Sequence, residues 1–140
     1  FRSGGAKISP KVTMQLSNFL NEIRNRYELE GDAIRVDGHT DDVPLTKRGR
    51  FKNNWELSTM RATNVATLMM DKVGFDPERI AISGYADTRP KSPYLDKKGE
   101  PKRGKELREA RKANRRVELI FTRPLEKERT RKFFPDPRAG

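Results

Sequence analysis

The sequence predicts a small domain of the α+β class, with one sheet and two or three helices. Three short apolar runs have the length and pattern of strands, and two longer runs repeat apolar residues at the three- and four-residue spacing of helices. Of the 140 residues, 33% are hydrophobic and 36% are charged, so the apolar material suffices for one modest core. A single domain follows.

The first predicted helix begins near residue 10. Ser9 and Pro10 suit the cap and the first helical position, and one apolar stripe then extends from Val12 to Tyr27. Gly31 is expected to end the pattern. The stripe predicts a helix with one buried face.

The middle of the chain predicts a strand, a helix and a second strand. Residues 33–37 and 80–85 have strand patterns, and between them a helix is expected from about Trp55 to Gly74. A right-handed crossover of this kind makes the two strands parallel.

The last third of the chain predicts a loop, a short helix and a final strand. Prolines, glycines and lysines fill residues 86–104, which predicts a long surface loop without internal structure. A marginal helix is expected at 105–113, and Val117, Leu119 and Phe121 alternate as one face of a strand. Residues 124–140 form a basic tail that is expected to be disordered, because it has no apolar stripe.

Composition excludes several kinds of function. The chain has one histidine, His39, and no cysteine, so it lacks the usual ligands of zinc and any thiol nucleophile. Asp37, Asp41 and Asp42 lack the spacing of a calcium loop, and no serine has the setting of a hydrolase nucleophile. No catalysis, metal or cofactor is therefore expected.

The charge of +11 is concentrated near the end of the chain. Residues 97–132 contain 15 lysines and arginines against 6 acids, a surplus of 9, which leaves +2 for the rest. We interpret this stretch as a solvated surface; binding to an anionic polymer such as nucleic acid is the alternative. The chain begins with Phe1 rather than Met, so we expect it to be a piece of a longer polypeptide, with any targeting or membrane segment upstream of Phe1.

Asp41 and Arg61 are the most informative pair of residues. Asp41 follows the first strand of the βαβ unit and Arg61 lies near the start of its helix, so both are expected at one edge of the sheet, where ligands of open α/β folds dock. The two charges can pair with each other, or they can bind a ligand that carries both an ammonium and a carboxylate group.

Four blocks of sequence resemble the OmpA-like peptidoglycan-binding domain. They are Gly38-His39-Thr40-Asp41, Asn54-Trp55-Glu56-Leu57-Ser58 with Arg61-Ala62, Gly84-Tyr85-Ala86-Asp87-Thr88 with Pro90, and Asn114-Arg115-Arg116-Val117-Glu118. The resemblance covers residues 1–123 and is greatest to the C-terminal domain of MotB-type stator proteins of the flagellar motor.

The resemblance implies a βαβαβ-type sandwich, in which helices pack on a small mixed sheet. It implies a periplasmic domain of an inner-membrane protein that binds the peptidoglycan stem peptide, forms a homodimer, binds no nucleic acid and anchors a stator to the cell wall. An outer-membrane tether of the OmpA or Pal type is the alternative. By position, Asp41 would bind the ammonium of diaminopimelate and Arg61 its carboxylate, and the flanking positions would be Thr40, Asn54, Leu57 and Arg115.

Overall fold

Three α-helices and three strands make up the fold in the computed structural model, which describes residues 1–26 and 33–122. In chain order they are α1 (Pro10–Arg26), β1 (Ala33–Gly38), α2 (Asn54–Leu68), β2 (Ile80–Gly84), α3 (Gly104–Asn114) and β3 (Val117–Thr122). The predicted start of the first helix at Pro10 is confirmed, with the hydroxyl of Ser9 accepting a hydrogen bond from the Val12 amide at 3.3 Å.

The sheet is mixed, and β1 is its central strand. The strand order is β2-β1-β3, in which β1 is parallel to β2 and antiparallel to β3. Ile34 of β1 lies opposite Ile80 on one side and Phe121 on the other. The parallel pair follows from the crossover through α2, and the α+β class with a small mixed sheet is confirmed.

The main core lies between the sheet and the apolar faces of α1 and α2. Its buried members include Leu20 from α1, Ile34 and Val36 from β1, and Val65 and Met69 from the α2 region. A second, smaller cluster joins Ala6, Phe51 and Leu57. The second cluster holds the segment before α1 against α2.

The start of α2 is capped by Asn53. Its side-chain oxygen accepts a hydrogen bond from the Glu56 amide at 2.9 Å. After Leu68 the helix continues as a π-helical turn, Met69–Val73, and ends at Gly74, whose φ of 82° is left-handed. The predicted end at Gly74 is thus confirmed.

Replacing Asn53 with alanine is expected to lower the free energy of unfolding by about 1 kcal/mol, because the Glu56 amide loses its acceptor. Urea unfolding followed by circular dichroism measures the change. The exposed Lys52 is a neighbouring control, and Lys52→Ala is expected to leave the midpoint unchanged. Equal midpoints for the two variants would contradict the cap assignment.

The loop between β2 and α3 has more structure than the sequence predicts. One carboxylate oxygen of Asp96 accepts hydrogen bonds from the amides of Lys98 and Glu100, at 2.8 and 3.0 Å. The Lys102 amide also donates to the carbonyl of Tyr94 at 2.8 Å. The prediction of a structureless loop was wrong because this aspartate organises a local turn.

Some predictions fall outside the described residues. These are the end of the first helix, with Tyr27 and Gly31, and the basic tail from residue 124 onward. In the ranges 1–26 and 33–122, no helix has the length and apolar character needed to cross a membrane.

Candidate functional site

Asp41 lies directly beyond β1, in a segment held from both sides. The amide of His39 donates to the carbonyl of Arg116, and that of Thr40 donates to the carbonyl of Ala86, both at 2.9 Å. The chain therefore continues in line with β1 to Asp41, at the edge where the parallel strands end. The sequence prediction that Asp41 lies at this edge agrees with the structure.

The carboxylate of Asp41 is paired with Arg115. One oxygen accepts from the Val43 amide and the other from Nη1 of Arg115, both at 3.0 Å. Nε of Arg115 donates to the carbonyl of Phe1 at 3.0 Å. The Arg115 side chain is 17% exposed and that of Asp41 is 6% exposed, so the pair lies just below the surface.

Arg61 lies deeper, and its guanidinium is fully buried. Nε donates to the carbonyl of Gly5 at 2.8 Å, and Nη1 and Nη2 donate to those of His39 and Arg2 at 2.9 Å. The ring of Phe1 lies over the guanidinium with its centroid 5.0 Å away. Within the described residues, main-chain carbonyls and an aromatic ring are the neighbours that satisfy this cation.

Asp41 and Arg61 interact through their fields rather than by a direct hydrogen bond. Burial lowers the pKa of Arg61 to about 10, and the negative charge of Asp41 opposes this change. The guanidinium therefore stays charged at neutral pH. The two residues are close together, as the sequence predicts, but Arg115 is the cation that contacts the carboxylate.

The other predicted flanking residues, Thr40, Asn54 and Leu57, contact different parts of the site. Thr40 and Leu57 are both buried; the Thr40 hydroxyl donates to the Asp41 carbonyl at 2.9 Å, and Leu57 packs in the smaller cluster. Asn54 donates to the Val43 carbonyl at 3.2 Å, and its side-chain oxygen is buried without a hydrogen-bond partner among the described residues. The N-cap of α2 is the preceding residue, Asn53.

His39 is buried beside this site, and its ring stacks on Tyr85 with centroids 5.3 Å apart. Burial lowers the pKa of His39, and the nearby Arg116 acts in the same direction. The imidazole is therefore neutral at pH 7. Its position within the packed interior fits a structural role.

A second ion pair beside Asp41 was missed in the sequence. Nε of Arg111 donates to Asp42 at 2.8 Å, and the two side chains are 33% and 35% exposed. Hydrogen bonding to Asp42 raises the pKa of Arg111. The sequence gives one signal for this surface, since Arg111 lies in the last turn of α3 and Arg115, four residues later, is its C-cap residue.

Comparison with known proteins shows what this chain is similar to. Residues 1–104 match the sequence profile of the OmpA family. Motility protein B of Bacillus subtilis is 31% identical over 126 residues, covering 86% of this chain and 41% of that protein. The uncharacterized protein YtxE of the same organism is 32% identical over 111 residues, covering 79% and 41%. The chain thus spans about two fifths of the length of these relatives.

Solved structures have the same fold. The C-terminal domain of Helicobacter pylori MotB superimposes with a TM-score of 0.68 and 25% identity, covering 87% of this chain and 81% of that one. The cell wall anchor of the type VI secretion system (T6SS) of Pseudomonas aeruginosa superimposes with a TM-score of 0.65 and 28% identity, covering 87% and 74%.

Proposed function

Since this chain belongs to the OmpA family, we propose that it binds the stem peptide of peptidoglycan without catalysis and anchors a flagellar motor stator to the cell wall. The observation that carries the proposal is the Asp41–Arg115 pair, which presents opposite charges at the edge where the parallel strands end. We assign this function to residues 1–123.

The proposed ligand group is the free zwitterion of a diamino acid in the stem peptide. Asp41 would accept hydrogen bonds from its ammonium, and an arginine would donate to its carboxylate. Arg115 is partly exposed, so a carboxylate reaches it first. The carboxylate role predicted for Arg61 requires the carbonyls of Arg2 and Gly5 to give up their hydrogen bonds. In the arrangement described, Arg61 supports the site through its positive field.

Each charge-assisted contact contributes only about 1.5–3 kcal/mol, so one stem peptide should bind weakly. The cell wall repeats the ligand, and two tethered copies of the domain would gain from effective concentration. We therefore propose a homodimer, in the periplasm, as part of an inner-membrane protein anchored upstream of Phe1. The similarity to Motility protein B and to the periplasmic domain of H. pylori MotB supports this setting.

A cell-wall tether of the OmpA or Pal type is the second candidate. The similarity to the P. aeruginosa protein favours it, because that protein is the cell wall anchor of a secretion system and not of a flagellar motor. The two candidates use one binding site and differ in the assembly that is held.

Asp41→Asn and Arg115→Gln are each expected to weaken binding to purified cell-wall sacculi by about tenfold or more, since each removes one charge-assisted contact. Co-sedimentation of the protein with sacculi measures this, with free diaminopimelate as competitor. Arg108→Gln, a change of an exposed arginine, is the matched control for net charge. Wild-type binding by both site variants would refute the assignment.

The same assay distinguishes binding at the Asp41–Arg115 site from binding through the basic stretch, residues 97–132. Competition by salt but not by free diaminopimelate would indicate that residues 97–132 bind an anionic polymer instead. The expected result is competition by diaminopimelate at constant ionic strength.

A further inference from the structure

Two ion pairs lie side by side between the loop after β1 and helix α3. Asp41 and Asp42 are consecutive, and Arg111 and Arg115 are one helical turn apart. Arg115 contacts Asp41 at 3.0 Å and Arg111 contacts Asp42 at 2.8 Å. The arrangement places two acids opposite two bases, and the order of the bases along the chain is the reverse of that of the acids.

Helix α3, which contains Arg111 and is followed directly by Arg115, is held in position by Asn114. Asn114 is fully buried between the two arginines in sequence, and its side-chain oxygen accepts from the Ser92 amide at 2.8 Å. Its side-chain nitrogen donates to the Ser92 carbonyl, also at 2.8 Å. The contacts of Asn114 with Ser92 therefore hold α3 in place independently of the Asp42–Arg111 ion pair. A ligand that separated Asp42 from Arg111 would leave α3 attached.

The simplest reading of the Asp42–Arg111 pair is a tether between α3 and the loop. A role as a tether alone does not account for the Asp42–Arg111 pair, because each of its side chains is about one third exposed and such ion pairs contribute little to stability. A ligand can reach both side chains. Its own charges can then replace the contact between Asp42 and Arg111 at small cost.

We propose that Asp42 and Arg111 form a second ionic subsite, which binds the second charged centre of the diamino acid whose first zwitterion binds at Asp41 and Arg115. Arg111 would bind a carboxylate, and Asp42 would bind the neighbouring ammonium or amide N–H. The proposal rests on the proposed function and specifies its ligand: a diamino dicarboxylic acid is preferred over a diamino acid with one carboxylate.

The spacing of the charges suits this ligand. Arg111 lies in the last turn of α3, and its carbonyl accepts from the amide of the C-cap residue Arg115 at 3.1 Å, so the two Cβ atoms are about 5–6 Å apart, as for neighbours on a helix. In diaminopimelate, two carbon atoms each carry an ammonium and a carboxylate group. Four carbon–carbon bonds of about 1.5 Å each separate these two atoms, which gives a distance of roughly 5 Å in the extended chain. One diaminopimelate can therefore place a carboxylate near each arginine.

The test compares free diaminopimelate with lysine, which lacks the second carboxylate, by NMR titration of the whole chain. The wild type is expected to bind diaminopimelate about tenfold more tightly, the contribution of one charge-assisted contact. Arg111→Gln should lose this preference, because the second carboxylate of diaminopimelate loses its partner. Arg108→Gln is the control with the same change of net charge.

Arg111→Lys keeps the charge but loses the planar donor pair, so it should reduce the preference to about threefold, and it replaces Arg111→Gln if that variant does not fold. The subsite is refuted if the Arg111 variants keep the wild-type ratio, or if the wild type shows no preference while still binding sacculi. Absence of binding to sacculi and to both amino acids would instead refute the proposed function.

Discussion

Replacing Gly38 with alanine is expected to cost about 4 kcal/mol or more of the free energy of unfolding, a large part of the total for a small domain. A Cβ at this position would lie 1.8 Å from the carbonyl oxygen of Ser58 and 2.8 Å from its carbonyl carbon. These are main-chain atoms of a helix packed on the sheet, so they cannot rotate away. Either α2 lifts from β1 or the variant does not fold.

Gly99→Ala is the matched control. Gly99 has a left-handed φ of 81° but open space around the added carbon, so backbone strain of about 1 kcal/mol is expected there and no clash. Thermal and urea unfolding followed by circular dichroism compare the two variants. Similar losses of stability in both variants would contradict the prediction, because they would show that α2 can move away from β1 at little cost.

Replacing Arg61 with methionine is expected to destabilise the fold by about 3–5 kcal/mol, because the carbonyls of Arg2, Gly5 and His39 lose their donors. Methionine approximates the length of the side chain without its charge, so the cost reports the lost hydrogen bonds more than a cavity. The segment before α1 should lose its attachment to α2. Urea unfolding measures the stability, and hydrogen exchange measures the segment.

Arg115→Gln provides the contrast. Its side chain is 17% exposed and glutamine keeps a hydrogen-bond donor, so a smaller loss of about 1.5–3 kcal/mol of stability is expected, with the larger effect on binding to sacculi. Loss of binding in an Arg61 variant is therefore informative only when the folded fraction is known. A stable, fully folded Arg61→Met protein would contradict the structural role, and loss of binding in that protein would show that the charge of Arg61 acts on the ligand, by contact or through its field.

The elements of the fold were largely readable from local patterns. Pro10 begins α1 and Gly74 ends the helical segment at the predicted positions, since proline and glycine act through their own backbone geometry. The parallel pairing of β1 with β2 followed from the crossover. The turn around Asp96 was not anticipated, because a single side chain among many charged neighbours gives no periodic signal.

For the candidate site, the sequence by itself determined the edge of the sheet at which Asp41 and Arg61 lie. Asp41 ends the segment after β1 and Arg61 lies near the start of α2, so the topology of a βαβ unit brings them to one edge. Tertiary structure alone decided their partners and their depth. Arg115 contacts Asp41, while residues before α1 cover Arg61, because these contacts join segments far apart in the chain. Spacing along a sequence carries no information on such contacts, since burial and pairing depend on how the elements pack.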